Sequence, residues 1–224
     1  MINAPTPVNL IGRGRIGTEV ADWIVASARY RLQAVIGRDA TDWPPAPLTI
    51  DTAGPGALRA HGGRLLAEGE VWSVGAASLL DEAFRTQLIG VAQRHCHRLR
   101  LFTGWISGPA LCPPGLPAKL HVSQSAPGLG NVRGLLFRGP LASAAKRYPD
   151  HLNTATAAAL TGPGIAATTV ALHGGPPGTS HLIRARFTMP GQVIRTEIRF
   201  GDGPHPVAQA IVTALARRDD ALHL

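Results

Sequence analysis

The 224-residue chain predicts an α/β protein: a Rossmann-type, doubly wound parallel sheet followed by a smaller α+β domain with antiparallel strands. Three observations predict it. Short apolar runs alternate with amphipathic stretches from Val8 to Phe102, the rhythm of a parallel sheet with crossover helices. A glycine turn, Gly12-Arg13-Gly14-Arg15-Ile16-Gly17, lies between the first apolar run and the first amphipathic stretch. Beyond Phe102 the texture changes to Gly- and Pro-rich sequence and then to runs with a period of two.

Taken in order, Val8 to Gly12 reads as a strand, Ile16 to Ser27 as a helix with Val20, Trp23, Ile24 and Ala28 on one face, and Leu32 to Ile36 as a second strand. This is a β-α-β unit. The link "GRDATDWPPAP" carries three prolines and bars regular structure, so the usual extra β-α element is trimmed. Leu48 to Thr52 follows as a strand, Gly56 to Leu66 as a helix, Val71 to Val74 as a strand, Leu79 to Arg94 as a helix and Leu99 to Phe102 as a strand. In the second part, "KLHVSQS", "VRGLLFRG", "TSHLIRARF" and "QVIRTEIRF" alternate as antiparallel strands, with helices over Leu141 to Tyr148 and Leu152 to Leu160. The expected division is a dinucleotide-binding domain over 1–103, a substrate and dimerisation domain over 104–203, and a C-terminal segment 204–224. The helix Pro206 to Arg218 in that last segment packs back on the first domain.

Composition narrows the function classes. Hydrophobic residues at 45% can supply a core, and no window approaches ~18 uninterrupted apolar residues, so neither membrane insertion nor secretion is expected. Two cysteines, Cys96 and Cys112, have no metal-ligand spacing and are too few for a disulfide framework; a reducing cytoplasm and no metal are expected. The net charge of +8 is spread over scattered arginines with few aromatics, which argues against a nucleic-acid partner and suits a basic surface receiving a phosphorylated cofactor.

The glycine turn gains meaning from its context between strand and helix. Gly12 permits the tight turn, Gly14 admits a pyrophosphate to the backbone and Gly17 allows close helix–strand packing. Asp39, about 20 residues on and just past the second strand, is placed to accept hydrogen bonds from an adenine ribose. Arg38 beside it could pair with a 2′-phosphate or be a solvated loop arginine, so NAD and NADP both remain open.

The chain resembles the L-aspartate dehydrogenase family. The residues that carry the resemblance are "DTAGPGAL" with Ala53 and Gly54, the loop Ser73-Val74-Gly75-Ala76, and "GPLASAAKRYPDHLNTATAAALTGPGI", in which Lys146, Pro149 and Asn153 fall in register. The segment "GTSHLIRARF" stands where the family carries its catalytic histidine. The resemblance implies an NAD(P)-dependent enzyme interconverting an amine and an imine, built from a Rossmann domain and an α+β substrate domain and usually a homodimer. By resemblance His181 is the general acid/base and Asn153 positions substrate or water. The cofactor is implied to lie against Gly12, Gly14, Arg15, Ile16, Gly17, Arg38, Asp39, Ala53, Gly54 and Ser73 to Ala76. Lys146 either faces a substrate carboxylate or is an exposed lysine of an amphipathic helix, and His205 occupies a substrate-site segment or simply starts the last helix. His61, His95, His97, His151 and His173 read as structural.

Three departures from the family bear on the substrate. Trp105 stands where the family has a small residue, an acid expected near Ala110 is missing, and Val207-Ala208-Gln209 replaces a cation and two hydroxyls. The family's His after Ala53-Gly54 is here Pro55. The expected substrate is therefore a small amine or imine that need not be aspartate, with Trp105, Lys146 and His205 as substrate-side residues. The same losses leave a second reading open, a non-catalytic NAD(P)-binding sensor or subunit.

Overall fold

The computed structural model describes residues 4–37, 40–102, 106–130, 132–218 and 220. The chain divides into two compact units, Met1–Gly104 with Pro204–Leu224, and Trp105–Gly203.

In the first unit, β1 (Thr6–Ile11), β2 (Tyr30–Ile36), β3 (Leu48–Asp51), β4 (Glu70–Ser73) and β5 (Leu99–Leu101) form one sheet in the order β2-β1-β3-β4-β5. Every pairing in it is parallel. The order reverses direction between β1 and β3. Because parallel crossovers are right-handed, α1 (Arg15–Ala26), which leads outward to β2, and α2 (Pro55–Glu68), which leads the other way to β4, cover opposite faces. The reversal also leaves a crevice at the carboxyl ends of β1 and β3, the place where such sheets take ligands.

The link from β2 to β3 contains Pro44, Pro45 and Pro47, and its described residues form no helix. Side chains of the sheet hold it instead: Asn9 Nδ2 donates to the Pro44 carbonyl at 2.7 Å and Gln33 Nε2 to that of Pro45 at 2.9 Å. The sheet is accordingly five strands wide.

One core cluster joins Val8 and Leu10 of β1, Leu48 and Ile50 of β3 and Trp72 of β4 to Val20 and Ile24 of α1. It also takes in Ala208, Ile211 and Leu215 of α6 (Pro206–Ala216), whose i, i+3, i+7 spacing makes one helical stripe. Polar contacts fasten the end of α6: Tyr30 Oη donates to the Leu215 carbonyl at 2.9 Å, and Arg218 meets Glu70 at 2.8 Å.

The helix expected over Leu79 to Arg94 is two pieces, a 3₁₀ turn at Ala76–Leu80 and α3 (Glu82–Arg94). Asp81 separates them. Its backbone is extended and its carboxylate accepts the Phe84 N–H at 3.1 Å, an N-cap that starts a new helix.

In the second unit, β6 (Lys119–Ser125), β7 (Gly134–Pro140), β8 (Thr168–Gly174), β9 (Leu182–Met189) and β10 (Gln192–Arg199) form a sheet in the order β10-β9-β6-β8-β7. Three of its four pairings are antiparallel, as expected, and one is parallel. The sheet is mixed: β6 and β8 run parallel, while β10–β9, β9–β6 and β8–β7 are antiparallel. Strand β8 was not anticipated, because Val170, Ala171 and Leu172 are buried in succession and so give no alternation to read. By contrast β9 alternates cleanly, burying Ile183, Ala185, Phe187 and Met189.

Two short helices accompany this sheet, α4 (Leu141–Ala145) and α5 (Asn153–Leu160). The helix expected to reach Tyr148 stops at Ala145. Tyr148 precedes Pro149, whose ring disfavours a helical residue before it, and its φ of −137° is extended.

Candidate functional site

The turn from β1 into α1 is organised by Thr52, a residue that sequence reasoning passed over. Its hydroxyl donates to the Ile11 carbonyl at 2.8 Å and so lies beneath the turn. A Cβ on Gly12, whose φ is +99°, would stand 2.9 Å from Thr52 Oγ1. A Cβ on Gly17 would run into the Gly12 carbonyl oxygen and lie 2.8 Å from the same hydroxyl. Two of the three glycines are thus required by the protein's own packing.

Gly14 is different. Its φ of −76° is open to any residue, and among the described residues nothing lies within 4 Å of the Cβ it lacks. Gly14 also lines a cavity of about 750 Å³, together with the rest of the turn, Gly37 after β2, Thr52 and Ala53 after β3, and Gly56, Ala57, Ala60 and His61 of α2. The cavity occupies the crevice at the strand-order reversal. Gly14 is the N-cap of α1 with no side-chain partner for the helix amides, so the positive end of the helix dipole faces this space.

The loops after β3 and β4 are locked together by Asp51, which is fully buried and was also missed. One carboxylate oxygen accepts the Ala53 N–H at 2.9 Å, the other the Ser73 hydroxyl at 2.6 Å. Ser73 Oγ in turn accepts the Gly75 N–H at 2.9 Å, and a Cβ on Gly75 would stand 2.6 Å from the Gly54 carbonyl. Ala53, Gly54 and the Ser73–Ala76 loop are therefore held as one piece around a single carboxyl. Burial pushes the Asp51 carboxyl up to about 6, against the lowering by its Ser73, Ala53 and Gly54 donors. A buried Asp followed by Thr at a strand end is the signal that could have revealed this node.

Of the residues the sequence nominated, the cavity brings together Gly12, Gly14 and Ala53. Arg15 and Ile16 do not line it: Arg15 pairs with Glu19 at 3.3 Å, and Ile16 packs on the core. Arg38, Asp39 and Trp105 lie outside the described residues. Two basic residues that were not nominated, Arg13 and His61, also line the cavity.

His205 caps α6, its Nδ1 accepting the Val207 N–H at 3.2 Å while its own N–H donates to Glu19 at 2.8 Å. Burial and then the Arg15 charge lower its pKa, partly offset by Glu19. This is the helix-start role.

In the second unit, His181 directly precedes β9 and stacks flat on Phe200, ring centroids 3.9 Å apart and 15° between planes. The backbone continues the β9–β10 ladder at this pair, Phe200 N–H donating to the His181 carbonyl at 2.8 Å. The imidazole is thus fixed by an aromatic plate at a strand end. Asn153 is half-buried at the first residue of α5, and Lys146 is exposed just after α4. Among the described residues no cluster of His, Cys, Asp and Glu could hold a metal ion, and no helix is long and apolar enough to cross a membrane.

Comparison with known proteins adds to this geometry. Residues 119–217 match the family described as aspartate dehydrogenase, C-terminal. Over 94% of its length the chain is 27% identical to L-aspartate dehydrogenase 2 of Bordetella bronchiseptica, covering 96% of that protein. Among solved structures it is similar to aspartate dehydrogenase from Thermotoga maritima, with a TM-score of 0.79 at 17% identity, covering 98% of this chain and 99% of that one. An engineered D-amino acid dehydrogenase bound to NADP+ is more distant, with a TM-score of 0.51 at 12% identity over 92% of this chain and 86% of that one. A five-stranded parallel sheet with a glycine turn at its switch point, a second unit with a mixed sheet, and matches that run nearly end to end make the chain similar to L-aspartate dehydrogenases.

Proposed function

We propose that the chain is an NAD(P)-dependent oxidoreductase acting on a CH–NH₂ or C=N group, an amino-acid dehydrogenase or imine reductase. The observation that carries this reading is Gly14. The fold has no need of a glycine there, whereas a pyrophosphate drawn to the α1 amides would need the space that a side chain would fill. The cavity of about 750 Å³ is of the size that takes a large part of a dinucleotide. Ala53 lines it, and Asp51 ties Ala53 to the Ser73–Ala76 loop, which the resemblance puts beside the nicotinamide.

When bound, the nicotinamide supplies a two-electron hydride acceptor or donor. Oxidation of the amine removes a hydride from carbon and a proton from nitrogen, and His181 Nε2 or Nδ1 takes that proton; in reduction the imidazole returns it. Stacking on Phe200 orients the ring for this transfer, and Asn153 positions the reacting group through its amide. The unit around His181 is the substrate domain, and the functional form is a cytoplasmic homodimer, in keeping with the family resemblance and with free Cys96 and Cys112.

The substrate is a small amino acid or cyclic imine in preference to aspartate. Trp105 replaces a small residue and Val207-Ala208-Gln209 lacks the cation and hydroxyls that a second carboxylate would use, each charge-assisted bond being worth roughly 1.5–3 kcal/mol. The test is a panel of L-aspartate, neutral amino acids and cyclic imines with NAD(H) and NADP(H), followed by nicotinamide absorbance. Turnover of a neutral substrate above aspartate is expected, with His181→Ala lowering kcat by roughly 10²–10⁴-fold. Aspartate as the best substrate would overturn the substrate choice, and no turnover of any amine or imine would overturn the reaction class.

A further inference from the structure

One face of the second unit's sheet sets like charges side by side. Register puts Arg195 of β10 opposite Arg186 of β9, Arg186 opposite His121 of β6, and His121 opposite Thr169 of β8. Residues paired in this way share a face, so they form one row across the strands, neighbouring strands lying about 4.8 Å apart. The alternate residues Leu120, Val122, Ala185 and Phe187 are buried while Arg186 and Arg195 are exposed, so the row lies on the side away from that core.

Like charges directly opposite each other are destabilising, and a carboxylate between them would offset the repulsion. The adjoining row has one, Glu197, but it already accepts from Arg184 Nε at 2.6 Å. Among the described residues neither Arg186 nor Arg195 pairs with a carboxylate. His121 Nδ1 lies 2.9 Å from Thr169 Oγ1, which fixes the ring and turns Nε2 away from that hydroxyl. Burial first, and then the charges of Arg138 on β7 and Arg186 on β9, lower the His121 pKa. The row borders an open cavity of about 380 Å³, whose lining includes His121, Arg184, Arg186, Arg195 and Glu197, three arginines to one carboxylate.

We propose that Arg186, Arg195 and His121 form a binding site for a small oxyanion with two or more acid groups, a diphosphate or a di- or tricarboxylate. One acid group is taken by the adjacent guanidinium forks of Arg195 and Arg186, and the next by Arg186 and the imidazole N–H of His121. Such an anion relieves the repulsion that the strand register imposes. A second copy presenting the same face would add to it. The site belongs to the second unit and does not depend on the glycine turn of the first.

The test is proton NMR titration of the His121 imidazole in the full chain, its signal assigned with His121→Gln, in sodium chloride, pyrophosphate or citrate at matched ionic strength. An anion held against the ring favours the imidazolium, so pyrophosphate or citrate should raise the His121 pKa by about 1 above its value in chloride, a tenfold preference for the charged ring. Whichever polyanion acts identifies the phosphate or the carboxylate as the acid group. Arg186→Gln and Arg195→Gln should each remove most of the rise. Both arginines are exposed and set beside like charge, so without anion these variants should melt at the wild-type temperature or above it, which separates lost binding from lost folding. The same His121 pKa in chloride and in both polyanions would overturn the proposal, as would a rise that survives in Arg186→Gln. A rise that follows protein concentration instead of anion concentration would assign the face to a second copy and overturn it as well.

Discussion

Asp51 makes the stability of the first unit depend on pH in the direction opposite to most carboxylates. It is fully buried at the end of β3, and burial holds its pKa at about 6 in the folded chain, whereas an unfolded aspartate ionises near its ordinary 3.8. Between those values the folded state keeps a proton that the unfolded state has released. The stability contributed by this proton is fully present below the unfolded value and is lost as pH rises through about 6. The interval of roughly 2 pH units, at ~1.4 kcal/mol each, amounts to roughly 3 kcal/mol. Asp51→Asn removes the titration and keeps an acceptor for the Ala53 N–H, although Ser73 Oγ must then turn its proton elsewhere. Guanidinium unfolding of wild type and Asp51→Asn at steps from pH 4 to pH 8 measures the difference directly. The advantage of wild type over the variant should shrink by roughly 3 kcal/mol across that range, nearly all of it below pH 7. A difference that stays constant with pH would mean that the Ser73, Ala53 and Gly54 donors fully offset desolvation, and the account of Asp51 as a high-pKa node would be wrong.

The glycine turn yields a pair of contrasting expectations. Gly17→Ala drives a Cβ into the Gly12 carbonyl and should cost roughly 1–3 kcal/mol in chemical denaturation, while Gly14→Val should cost only the poorer N-cap, about 1 kcal/mol, and abolish dinucleotide binding in calorimetry. Unchanged affinity in the Gly14 variant would refute the role given to that position. His205 should make the chain acid-sensitive: its lowered pKa means that the neutral capping ring contributes stability above the ordinary 6.5 that is lost as pH falls through the folded value. His205→Asn, an equally good N-cap, should show a smaller drop in melting temperature toward pH 5 than wild type; identical profiles would count against the capping account. Tyr30→Phe leaves the Leu215 carbonyl without that donor and should cost about 1 kcal/mol, read as a lower denaturation midpoint.

The alternation of apolar runs and amphipathic stretches was enough to specify a parallel sheet, because a strand and its crossover helix each announce themselves within a dozen or so residues. The glycine turn was legible for the same reason: its three glycines, the strand before them and the helix after them are contiguous. What sequence could not carry were pairings between distant segments. Strand β8 lies between β6 and β7 and runs parallel to β6, and its buried succession of Val170, Ala171 and Leu172 carries no periodic mark of that place. Nor does the sequence say that Gly12 and Gly17 are demanded by Thr52, that Asp51 ties the loop at Ala53 to the loop at Gly75, or that His61 lines the same cavity as Arg13. Each of these depends on chain segments brought side by side by the order β2-β1-β3-β4. Local pattern determined which elements form, since propensity and patterning act over neighbouring residues; long-range packing alone decided which side chains share a carboxyl, a carbonyl or a cavity.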